Sequence, residues 1–87
     1  MSNKSILQEA EEIVNGSRAS DYGSAIESAD KIAKVANILI GEDVIKPEYV
    51  FKVMMAVKVV REGVKHKRDN LVDLAGYAEL QNRVEDS

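Results

Sequence analysis

The apolar positions of this chain recur with the period of an α-helix, in four blocks. Ile6, Leu7, Ala10, Ile13 and Val14 share one face, because side chains three or four residues apart lie above one another on a helix. Ser5-Ile6-Leu7-Gln8 opens that block as a capping box, and Asn15-Gly16 closes it, so a helix is predicted over 6–15. Ser24-Ala25-Ile26-Glu27 is a second capping box. Behind it Ile26, Ala29, Ile32, Ala33, Ala36, Leu39 and Ile40 form a broad stripe ended by Gly41, which predicts a helix over 25–40. Pro47 suits the first residue of a third helix over 47–63, with Val50, Val53, Met54, Val57, Val60 and Val64 along one side. Its valines invite a strand reading, but the apolar residues do not alternate and the block is too long for a strand. A fourth helix opens at Asp69 or a neighbour and carries Leu71, Leu74, Ala75, Ala78 and Val84 to about residue 85.

The segment between the first two blocks, GSRASDYG, is dense in small and polar residues and reads as a loop. Short connections between four helices predict one all-α domain over 1–87, a small four-helix bundle whose last two helices form an antiparallel hairpin. Valine, methionine and alanine dominate its presumed core, with Phe51 and three tyrosines for bulk. So thin a core is marginal in a chain of this length. Helices two to four are therefore expected to complete it against a second copy, as a homodimer or higher oligomer.

Composition narrows the chemistry. Apolar residues make up 45% and charged residues 31%, a balance of soluble globular proteins rather than disordered ones. There is no cysteine, which excludes disulfides and thiolate zinc sites, and His66 is the lone histidine, which argues against a catalytic triad. The longest uninterrupted apolar run, Val53 to Val57, is far short of a membrane span, and no secretion signal is visible, so the expected location is cytoplasmic. A net charge of −3 argues against general nucleic-acid binding, although Lys65, His66, Lys67 and Arg68 cluster and read as a solvated turn.

Polar residues on the last two helices form a constellation. If the turn centres between Lys65 and His66, residues whose numbers sum to about 131 lie opposite one another. Lys58 then faces Asp73, and Arg61 faces Asn70 beside Asp69, so two cations meet two carboxylates along one seam. The seam reads either as an ion-pair lock on hairpin register or as a polar pocket for an anion or divalent metal. Gly76 and Tyr77 sit one turn further along. Glycine within a helix costs roughly 1 kcal/mol against alanine, so Gly76 predicts close approach of another backbone or of a side chain such as Tyr22. Arg18 and Tyr22, in the loop ahead of the capped second helix, are placed to contact a phosphate or a partner.

Three segments, RASDYG (18–23), MMAVKVVR (54–61) and DNLVDLAGYA (69–78), resemble a family of small, functionally uncharacterised tailed-phage proteins. The resemblance runs from about Ile6 to Leu80 and implies an origin rather than an activity. A more distant similarity is to the MazG-like all-α nucleoside triphosphate pyrophosphatases, whose paired acidic motifs hold magnesium at a bundle interface. Glu9, Glu11 and Glu12 would stand for one motif, and Asp69 with Asp73 for the other. The chain departs from that pattern: the glutamate-rich motif belongs on the second helix, where Glu27 and Asp30 stand alone, and the second motif expects acids three apart.

The expected function is that of a phage-encoded helical accessory protein that binds a host protein or a small, nucleotide-like anion without catalysis. The alternative is a degenerate MazG-like, magnesium-dependent nucleotide pyrophosphohydrolase. Candidate ligand-binding residues are Arg18, Tyr22, Lys58, Arg61, Asp69, Asp73 and Tyr77. No catalytic residue, resident metal or cofactor is expected, magnesium entering only under the alternative.

Overall fold

The computed structural model describes residues 4–16 and 24–86. Among them run four α-helices and no strand: α1 (Ile6–Asn15), α2 (Ala25–Ile40), α3 (Pro47–Val64) and α4 (Arg68–Glu85). The boundaries fall within one residue of those the apolar periodicity predicts. Ser5 caps α1 with the full reciprocal box, its Oγ accepting from Gln8 N while the Gln8 side chain accepts from Ser5 N. At α2 only half of the expected box forms, Ser24 Oγ accepting from Glu27 N at 3.1 Å. Gly41 ends α2 in the left-handed region, at φ 86°, where a side chain would be strained. Pro47 opens α3, where its missing N–H costs nothing.

The turn from α2 to α3 is tied by one side chain that periodicity does not single out. Asn37 Oδ1 accepts from Val44 N at 3.0 Å and from Ile45 N at 2.7 Å, while its Nδ2 donates to Ile45 O and Asp43 Oδ1, each at 3.0 Å. A side-chain amide carries both donors and acceptors, so Asn37 satisfies a loop backbone that has no helix to pair with.

Helix α4 is the hub, in contact with each of the other three. Helix α3 pairs with it antiparallel, as expected for a C-terminal hairpin. Helix α1 runs in the same direction as α4. Near its start Glu9 accepts from Arg68, which also donates to Lys4 O at 2.9 Å, and at its end Asn15 Oδ1 accepts from Arg83 at 2.7 Å. Helix α2 packs on both helices of the hairpin.

Two small apolar clusters hold these helices. Ala29 and Ala33 of α2 meet Val50 and Phe51 of α3, with Tyr77, Leu80 and Val84 of α4 around them. Ala10 and Val14 are buried where α1 meets Val72 and Gly76 of α4. Val72 is 2% exposed, and full burial of a side chain of that kind contributes about 1.5–3 kcal/mol. The core is as thin as the composition implies, and many valines and isoleucines of α2 and α3 stay exposed. No helix of the described residues is long and apolar enough to cross a membrane.

Candidate functional site

The α3–α4 seam has the expected register. Lys58 Nζ lies 2.8 Å from Asp73 Oδ2, with the side chains 15% and 34% exposed. One turn along, the rings of Phe51 and Tyr77 stack at 6.1 Å between centroids and 25° between planes. At the far end Gln81 Nε2 donates to Glu48 O at 3.0 Å and to Glu85 Oε1 at 2.7 Å, and Lys52 pairs with Glu85 at 3.2 Å. Lys52 and the Gln81 amide together hold the Glu85 carboxyl below its ordinary range.

The second expected pair does not form. Arg61 and Asp69 are both exposed, and no ion pair joins them. Glu62 takes the inward place instead: it meets His66 Nδ1, accepts from Lys67 N at 2.9 Å, and accepts from the buried Asn70 amide at 3.2 Å. The reason is helical spacing. Phe51, Met55, Lys58 and Glu62 follow one another at four, three and four residues, and this row faces α4; Arg61 sits on the solvent side of it. The His66 hydrogen bond, then that from Lys67 N, lowers the Glu62 carboxyl below its ordinary range. No side chain of Lys67 caps α4 at its first turn, and the Glu62 carboxylate supplies the acceptor there.

Beside the seam, between α1 and α2, lies an open groove of about 780 Å³. Its walls are Ile13 and Val14 on one side and Ile26 and Ile32 on the other, with Phe51, Met54, Val72 and Leu80 beneath. Asp73 and Arg83 are its charged lining residues, and both are engaged, Asp73 by Lys58 and Arg83 Nε by Glu79 at 2.8 Å. Gly76 also lines it. An added Cβ there would meet Val14 Cγ2 at 3.5 Å, an ordinary contact. Among the described residues the neighbour of Gly76 is thus a side chain of α1, at a distance alanine would tolerate, and Tyr22 lies outside them.

Of the predicted site residues, the structure brings together Lys58, Asp73 and Tyr77; Asp73 and Tyr77 line the groove and Lys58 stands behind Asp73. Arg61 and Asp69 point away from it, and Arg18 and Tyr22 lie outside the described residues. Sequence reasoning missed Glu62 and Arg83, and it set Asn70 opposite Arg61 where the structure gives it to Glu62. Glu62 was open to discovery from its place four residues after Lys58, whereas Arg83 reaches the site only because α1 runs alongside α4. The basic run divides likewise: Arg68 is spent on α1, and His66 on Glu62. Among the described residues no group of three His, Cys, Asp or Glu side chains is placed to hold a metal ion.

Residues 5–85 match the model of a domain of unknown function, DUF6378. The chain belongs to that family. Its relatives include the Gene 55 protein of Mycobacterium phage L5, 40% identical over 83 residues, covering 93% of this chain and 53% of the relative. The Gene 55 protein of Mycobacterium phage D29 is 30% identical over 82 residues, covering 93% and 54%. The chain thus spans about half the length of the curated relatives it matches. The resemblance to an uncharacterised family of phage proteins is thereby shown. No solved structure matches the chain.

Proposed function

We propose that this DUF6378 protein is a phage accessory protein that works by binding rather than by catalysis, and that its groove takes the apolar face of a short helix from a host protein. The observation that carries this reading is the groove itself. Its volume is in the range of ligand sites, its lining is mainly aliphatic, and its charged side chains are already paired. An amphipathic helix recognises such a surface with side chains spaced three and four residues apart. Tyr77 and Asp73 at the groove floor would give the partner a polar contact that fixes its position.

A small nucleotide-like anion finds less support in the same geometry, because Lys58 and Arg83 each face a carboxylate within hydrogen-bonding distance. The MazG-like alternative needs carboxylates converging on magnesium. Here Glu9 is engaged by Arg68, Glu12 by Lys4 and Asp73 by Lys58.

The test is site-specific photocrosslinking during infection. A photoreactive side chain at Ile32, inside the groove, is expected to capture one host protein that the same group at the exposed Ala78 does not. Equal labelling from both positions, or none, overturns the reading. Titration with a nucleotide panel, with and without magnesium, checks the other two: binding heat would favour the anion, and pyrophosphate release the enzyme.

A further inference from the structure

We propose that the outer face of α3 is the interface of an antiparallel dimer of this chain, built from Val53, Val57, Val60 and Val64. These valines follow the buried Val50 at three, four, three and four residues, the spacing of a helix that packs along another helix. They are 53%, 44%, 67% and 85% exposed. None of them lines the groove between α1 and α2, and the row that meets α4 is the separate one through Phe51, Lys58 and Glu62. One helix therefore carries two packing rows, and among the described residues the outer one, beyond Val50, stays largely open to water.

The outer row is complementary to itself. A two-fold axis crossing α3 between Val57 and Val60 sets Val57 against Val60 of the other copy and Val53 against Val64, so the same four side chains furnish both halves. Ala56 and Gly63, seven residues apart, flank the row and let a second helix approach closely. A Cβ added at Gly63 would meet nothing within 4 Å. Arg61 falls opposite Ala56 in this arrangement, so no like charges meet at the centre.

Area also favours a second copy. With Tyr49 of the same helix, the valines offer on the order of 500 Å². That matches the apolar share, about three-fifths, of the ~800 Å² a stable interface buries per partner.

The experiment is sedimentation equilibrium of the full chain over a concentration series, with circular dichroism beside it. Wild type is expected to have twice the single-chain mass. The double variant Val57→Glu, Val60→Glu should fall to the single-chain mass with its helical signal kept. Because the chain has no cysteine, a second measurement is available. An equimolar mixture of Val57→Cys and Val60→Cys should oxidise to a cross-linked dimer faster than either Val59→Cys or Ala78→Cys alone. A wild type of single-chain mass at every concentration overturns the proposal and leaves the row to a different partner. A persistent dimer in the glutamate variant, or no faster cross-linking in the mixture, overturns it as well.

Discussion

The two faces of α3 are built from different residues and have opposite fates. Its inner row, Phe51, Met55, Lys58 and Glu62, is stacked, ion-paired and hydrogen-bonded to α4. Its outer row is aliphatic throughout and yet lies open to water. The face holding two charged residues is the one turned inward, and the purely apolar face is the one left out. Hydropathy alone would have reversed that choice. What decides it is that each charge on the inner row has a counterpart on α4 in register, and a paired, hydrogen-bonded charge tolerates partial burial.

That contrast can be broken most forcefully at Phe51. Phe51→Ala removes the aromatic centre of the inner row, and in so thin a core a loss of about 3–5 kcal/mol is expected, enough to leave little folded protein in a urea melt. A two-state melt close to wild type would show that the inner row is not the stabilising one. Asp73→Asn keeps shape and removes charge. Lys58 then lacks its partner, and because Asp73 is a third exposed the loss should be only about 1 kcal/mol. Restoring wild-type stability with Lys58→Met on top of it would confirm that the pair sets register rather than adding net stability.

Glu62 gives the inner row a dependence on pH. Its folded carboxyl is lowered from its unfolded value, so its contribution is fully present above the unfolded value and is lost as pH falls through the folded one. The denaturation midpoint of wild type should therefore drop on acidification through the carboxylate range, and Glu62→Gln should flatten that drop. Parallel pH profiles for the two proteins would refute the assignment.

Two further substitutions bracket the contrast from outside the inner row. Gly76→Ala, on the side of α4 that meets α1, should stabilise by about 0.5–1 kcal/mol, because the added methyl makes an ordinary contact with Val14 and the helix loses a glycine. A lowered melting temperature would mean that α1 sits closer than 3.5 Å in solution. On the outer row Val60→Thr should change the stability of the isolated chain by no more than about 0.5 kcal/mol, since the side chain touches water already. Any larger loss, read at several concentrations, would itself report a partner on that face.

Much of this was legible in the chain. Helix number, helix ends and the α3–α4 register follow from the spacing of apolar residues, from Gly41, from Pro47 and from the short turn through Lys65 and His66. The pairing of Lys58 with Asp73 follows from that register. The exchange of Glu62 for Arg61 was not seen, because a sum rule places residues opposite one another without saying which of two neighbours turns inward. Tyr77 was placed at the seam correctly, but its stacking on Phe51 depends on an aromatic from another helix arriving at the same level.

The sequence by itself determined the local order of this protein: four helices, their ends and the antiparallel pairing of the last two. Those features rest on interactions between residues a few positions apart, which spacing encodes directly. Only the tertiary structure decided that α1 runs alongside α4 and α2 over the hairpin. It thereby opened a groove between them, gave Asn37, Arg68 and Arg83 their partners, and left the valine row of α3 uncovered. Each of those outcomes depends on which apolar stripe meets which. Several stripes of nearly equal hydrophobicity can each be buried only once, and burial is a property of the assembled helices, not of any one of them.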